Sequence, residues 1–208
     1  MLKKAVVLKP KRLKSSKLDC EAIILFTLFL CGIIIGAFVI KNCNDDIKNA
    51  FCTLLSNYIS AKSDRGFLSC FSGTLVFLLI FVVAVFLFGM CAVGTPLVWC
   101  VPVIFGLVCS GYASLMLISY GIKGILYLVL VDLLPYAITT AALVRCCCES
   151  TGLSVNLFTC IAGDNSFRGR NAFKEYAFSY LILCVPVVIG ALISALCFRI
   201  FEGLFIFA

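Results

Sequence analysis

Residues 66–122 read GFLSCFSGTLVFLLIFVVAVFLFGMCAVGTPLVWCVPVIFGLVCSGYASLMLISYGI, and none of these 57 positions is Asp, Glu, Lys or Arg. A membrane-spanning helix needs about 20 mostly apolar residues, so this stretch has room for two spans and a short turn. Gly94, Thr95 and Pro96 supply the turn. That sets one span over 74–92 and the next over 98–118, ending at Ser119, Tyr120 and Gly121. Outward from there, a fourth span covers 124–144 and stops at Arg145, and a fifth covers 177–200, with Arg199 long enough to snorkel at its end. The first span, 22–40, follows the basic stretch KKAVVLKPKRLKSSK. Its apolar core of 19 residues exceeds that of a signal peptide, and no small-x-small cleavage site follows, so it reads as a retained span. The expected fold is all-α, a polytopic membrane protein with about five transmembrane helices. Residues 1–21 form a basic cytoplasmic N-terminus and 22–208 a single membrane domain.

Composition agrees. Of the 208 residues 63% are hydrophobic, against roughly 45–50% in soluble domains. The net charge of +7 is concentrated, since seven of the 17 basic residues lie in the first 17 positions. A nucleic-acid surface spreads basic and aromatic residues over a fold, whereas this cluster abuts a membrane segment, where anionic lipid headgroups are the counter-charge. With the N-terminus inside, the inner segments carry Lys3, Lys4, Lys9, Lys11, Arg12, Lys14, Lys17, Arg145, Arg168, Arg170 and Lys174. The outer ones carry Lys41, Lys48, Lys62, Arg65, Lys123 and Arg199. This excess of inner basic residues places the N-terminus in the cytoplasm and the C-terminus outside the cell membrane.

Catalytic chemistry lacks its parts. There is no histidine, hence no Ser-His or Cys-His dyad and no HExxH zinc site, and no phosphate loop or GxGxxG is present. The 14 cysteines form no CxxC pair, and many, such as Cys31, Cys91, Cys109 and Cys184, sit in or at the ends of apolar runs, where a thiol behaves as a small hydrophobe. Cys146, Cys147 and Cys148 are adjacent, so their side chains diverge and cannot jointly hold a tetrahedral metal; they read as apolar filler at the inner membrane edge. Beyond them Leu153, Leu157 and Ile161 have the spacing of a short interfacial helix before a GDN turn at 163–165. No catalytic, cofactor or metal residue is assigned, and the chain reads as a non-enzyme without a cofactor.

Three features ask for a structural role. Gly32 with Gly36, Gly106 with Ser110, and Gly190 with Ser194 repeat the small-xxx-small spacing by which helix backbones approach closely in lipid; packing within the chain is the commoner use and partner binding the other. Asp132 is the one carboxylate well inside a span, at a cost of roughly 2.5–3.5 kcal/mol at a helix centre. Pro135, three residues on, cannot donate to the carbonyl of Val131, so the helix is expected to loosen beside the acid. Asp132 reads either as a packing residue facing Ser, Thr or Tyr on another helix or as part of an ion path. In the outer loop Ile47, Phe51, Leu54 and Tyr58 recur at helical spacing with Leu55 beside them, Asn44 or Asp45 able to cap and Asp46 complementing the dipole. An external amphipathic helix is therefore expected between the first two spans, its stripe lying on lipid or the protein's own surface, or docking a partner.

The landmarks CGIIIG (Gly32, Gly36), GMCAVGTP (Gly94, Pro96), FGLVCSGY (Gly106, Gly111), GIKGILYLVLVDLLPYAI (Gly124, Pro135) and FRGRNAFKEYAFSYLIL (Arg168, Arg170, Tyr176) cover most of the chain after residue 22. In order and spacing they resemble the stage II sporulation protein M family. The resemblance implies a non-enzymatic polytopic subunit acting when the mother cell engulfs the forespore. It also implies a role in anchoring stage II sporulation proteins P and D, which degrade septal peptidoglycan. Some relatives outside the sporulating bacteria carry histidine just after the fourth-span proline and glutamate a few residues on, where this chain has Tyr136 and Thr140. On this basis Ile47, Phe51, Leu54 and Tyr58 are the candidate docking residues for an extracytoplasmic cell-wall hydrolase. A small transporter or permease subunit is the alternative reading.

Overall fold

The computed structural model describes the backbone of residues 15–64, 66–161 and 169–201, with side chains over 20–58, 66–161 and 173–201. The chain is an all-α polytopic membrane protein, and no strand occurs among the described residues. Its elements are α1 (Ser15–Asn42), α2 (Asp45–Asp64), α3 (Phe67–Gly89), α4 (Thr95–Tyr127), a π-helical turn (Leu128–Asp132), α5 (Leu133–Ile161) and α6 (Gly169–Phe201). Four described stretches are long and apolar enough to cross a membrane: Cys20–Asn42, Phe67–Gly89, Thr95–Ile161 and Phe173–Phe201.

The third stretch, 67 residues long, is a hairpin. Gly121 adopts φ +55°, ψ −130°, a conformation open to glycine and strained for other residues, and the helix reverses there. Thr95 Oγ1 lies 3.2 Å from Ser154 Oγ, Cys147 Sγ 3.8 Å from the Val98 carbonyl, and the rings of Phe105 and Tyr136 6.5 Å apart. Partners thus converge on Gly121 from both sides, which is the signature of antiparallel arms. The third and fourth expected spans are these two arms.

Several boundaries differ from the sequence reading. α3 begins at Phe67 rather than 74, because Gly66 starts the helix in extended conformation and the apolar Phe67 and Leu68 continue it. It ends at Gly89, short of 92, where Met90–Gly94 form the turn and Pro96 opens α4 in its first turn. The helix that carries the fourth span continues past Arg145. α5 runs through it to Ile161, carrying the Arg145 side chain on an exposed face while the opposite face stays buried. Cys146, Cys147 and Cys148 are buried between helices near the end of the bundle where α3 finishes, and 153–161 is the end of the same helix rather than a separate interfacial one. The GDN turn at 163–165 lies outside the described residues, as does most of the basic N-terminus. α6 starts earlier than 177, at Gly169.

Phe105 on α4 is fully buried at the centre and meets Phe29 of α1 at 6.0 Å, Phe81 of α3 at 5.0 Å and Tyr136 of α5, so one ring joins four helices. Aromatic pairs of this kind contribute about 0.5–1.5 kcal/mol each beyond burial. A second apolar cluster of Leu55, Met116, Tyr127, Val131 and Phe198 lies at the end of the bundle where α2 sits. Outward faces are apolar too, with Ile34, Ile122, Phe178 and Leu181 exposed, as suits helices solvated by lipid tails.

Candidate functional site

Asp132 ends the π turn, three residues before Pro135. The proline has no N–H for the Val131 carbonyl, and the widened π turn is the local consequence; such turns recur at functional sites. The carboxylate is 5% exposed and lines a cavity of about 410 Å³. Each packed helix contributes a polar or aromatic side chain: Thr74 and Phe77 from α3, Cys109 and Tyr112 from α4, Tyr136 from α5 and Ser194 from α6. The last wall belongs to α2, through Phe51, Leu54, Leu55 and Tyr58. Among the described residues no Lys or Arg lines it. Asp132 is eleven residues past the Gly121 turn (132 − 121), which at helical rise places it about 16 Å below that end of the bundle.

α2 is the helix expected between the first spans. The Asn44 carbonyl receives the Lys48 N–H at 3.0 Å, placing Asn44 at the cap, and Lys48 Nζ reaches Asp45 Oδ1 at 3.3 Å. Leu55 is its buried anchor, while Phe51, Leu54 and Tyr58 line the cavity mouth and remain about half exposed, at 45%, 63% and 51%. Ile47, at 45% exposed, is not among the cavity residues. The stripe therefore splits, with three members meeting the cavity and one standing outside it.

The small residues fall into two seams. A Cβ on Gly32 would strike the Val103 carbonyl, one on Gly36 would lie 2.7 Å from the Leu107 carbonyl, and one on Gly106 would strike the Phe29 carbonyl. These three glycines thus form one backbone-to-backbone contact between α1 and α4. Gly190 belongs to the other seam, where a Cβ would lie 3.1 Å from Thr139 Oγ1 and 3.4 Å from the Pro135 carbonyl. Ser194 follows one turn later at the Asp132 cavity, and Ser110 is buried in α4 one turn after Gly106.

At the opposite end lies a polar knot that spacing arguments passed over. Ser150 Oγ on α5 contacts Tyr176 Oη at 2.9 Å and Tyr180 Oη of α6, and donates to the Val85 carbonyl at 3.2 Å. Tyr176 donates to the Phe86 carbonyl at 3.1 Å and Tyr180 to the Cys146 carbonyl at 3.1 Å. Ser154 donates to the Cys91 carbonyl at 2.8 Å. The last carbonyls of a helix lack intrahelical donors, and Met90 N–H here turns to Leu87 instead of Phe86, so α5 and α6 hydroxyls satisfy the end of α3. The signal was available as Ser150 with Ser154 and Tyr176 with Tyr180, each pair four apart on one helix face.

Among the described residues, no three His, Cys, Asp or Glu side chains gather closely enough to share a metal ion. Comparison with family models, with curated proteins and with solved structures gives no match for the chain.

Proposed function

We propose that this chain is a multi-pass subunit of the cell membrane, N-terminus cytoplasmic and C-terminus extracytoplasmic. In this reading it is a non-enzymatic scaffold that anchors peptidoglycan-degrading partners at the septum during forespore engulfment in sporulation. The family resemblance supplies the partners, stage II sporulation proteins P and D. The observation that supports the reading is α2: a helix outside the lipid-spanning stretches, held by Leu55, whose Ile47, Phe51, Leu54 and Tyr58 stay about half exposed on the side where peptidoglycan lies under this orientation. Apolar side chains left open at the mouth of a cleft are the kind of anchor points that protein partners fill.

A Phe51→Asp, Leu54→Asp double variant should keep normal membrane levels yet fail to recruit the hydrolases to the septum and to co-purify them from sporulating cells. Recruitment equal to wild type would remove α2 as the docking face. The alternative, a small transporter or permease subunit, is favoured by one observation, the buried Asp132 facing a cavity. Co-purification of an ATPase, or solute-dependent flux in vesicles, would select it.

A further inference from the structure

Arg145 and Glu149 stand on a strip of α5 that the bundle leaves uncovered. Between Ala141 and Ser154 the exposed positions are Ala141, Arg145, Glu149 and Gly152, and the other residues are buried. These four share one helix face, while α1, α3, α4 and α6 pack against α5. Lipid lies beside this strip. The 23 residues of α3 make a helix of about 34 Å, close to the roughly 30 Å of a bilayer's hydrocarbon core, and Ser150 donates to the Val85 carbonyl, four residues before α3 ends at Gly89. Glu149 therefore lies about one turn inside the end of that span, and Arg145 one turn deeper. Charges at such depth normally face a bundle interior or a water-filled cavity, but these two face outward. Among the described residues neither enters an ion pair, and a basic residue placed N-terminal to its acidic neighbour is the less favourable order for pairing along a helix. Lipid headgroups offer counter-charge at this level.

We infer that this strip is a binding site for a zwitterionic glycerophospholipid with a primary ammonium, of the phosphatidylethanolamine type, its phosphate on Arg145 and its ammonium on Glu149. The order of the charges carries the assignment. In such a lipid the phosphate lies nearer the acyl chains and the ammonium nearer water; on α5 the guanidinium is the deeper group and the carboxylate lies four residues, about 6 Å, nearer the end of the span. A guanidinium pairs bidentately with phosphate and snorkels toward the headgroup layer, and a primary ammonium donates N–H bonds to a carboxylate. A trimethylammonium headgroup has no N–H to donate, and an anionic headgroup without an amine sets like charge against Glu149. Deeper on the same face, the small exposed Ala137 and Ala141 leave room for an acyl chain. The inference is independent of the anchoring role and of which membrane face this end of the bundle occupies.

The test is native mass spectrometry of the full chain in detergent, given equal amounts of phosphatidylethanolamine and phosphatidylcholine with matched acyl chains. Both lipids carry no net charge, so the basic N-terminal stretch does not bias the comparison. The wild type should retain the ethanolamine lipid about two- to fivefold more than the choline lipid, the size expected of one partly solvated ion pair. Glu149→Gln should bring that ratio to about one, and Arg145→Gln should lower retention of both lipids by about two- to fivefold. Both side chains are exposed, so both variants should melt at the wild-type temperature. An Arg145→Glu, Glu149→Arg double variant keeps composition and net charge but reverses the order of the charges, and it should lose the preference too. Equal retention of the two lipids by the wild type overturns the inference, and that comparison decides the matter if a variant does not fold. A preference that survives Glu149→Gln or the reversal, or retention unchanged by Arg145→Gln, overturns it as well.

Discussion

Replacing Gly36 by alanine adds one methyl group to the close backbone contact between α1 and α4. The new Cβ would lie 2.7 Å from the Leu107 carbonyl oxygen and 3.0 Å from Leu107 Cα, whereas ordinary contact begins at 3.4 Å. Backbone cannot rotate away, so the helices must part by about 0.7 Å (3.4 − 2.7) or bend. A gap of that size forfeits a quarter to a half of each dispersion contact along the seam, and overpacking of this kind costs about 1–3 kcal/mol. Alanine's better helix propensity returns about 0.5–1 kcal/mol. Gly111 is the control, because a Cβ there meets nothing within 4 Å and only the propensity term remains. The two substitutions should therefore move stability in opposite directions. Thermal unfolding in detergent, followed with a thiol-reactive dye that reports exposure of the buried Cys146 and Cys147, reads the difference at roughly 2–4 °C per kcal/mol for a chain of this size. Gly36→Leu should go further and lower the folded yield. Equal melting temperatures for Gly36→Ala and Gly111→Ala, both normally expressed, would refute the close-approach argument.

Ser150→Ala should destabilise by about 1–3 kcal/mol by the same assay, since it strips a shared partner from two buried tyrosine hydroxyls and from the Val85 carbonyl; an unchanged melting temperature would show that the knot contributes nothing. With single-cysteine variants on intact cells, a membrane-impermeant maleimide should label Cys43 and Cys52 and spare the exposed Cys160, and the reverse pattern would invert the orientation.

The bundle was legible because bilayer solvation leaves a coarse signal: 57 residues without charge admit few structures besides paired apolar helices. Ile47, Phe51, Leu54 and Tyr58 announced α2 by period alone, and Pro135 announced a weakened helix beside Asp132. The continuation of α5 past Arg145 is not legible in the sequence, because a single arginine reads as a border. Arg145 can hold an exposed face while Cys146, Ser150 and Ser154 continue a buried one, and hydropathy averages over both faces. The cavity was illegible for another reason. Tyr112, Phe77 and Ser194 come from three helices, and only the pairing across Gly121 and between seams brings them to Asp132.

The polar knot bears on the order in which the protein is made. Tyr176 reaches Phe86 across 90 positions of sequence and Ser150 reaches Val85 across 65, so α3 leaves the ribosome long before the hydroxyls that close its last turn exist. Until α5 and α6 are synthesised, those carbonyls lack these hydroxyl partners. Both α5 and α6 are thus needed to fasten the end of α3.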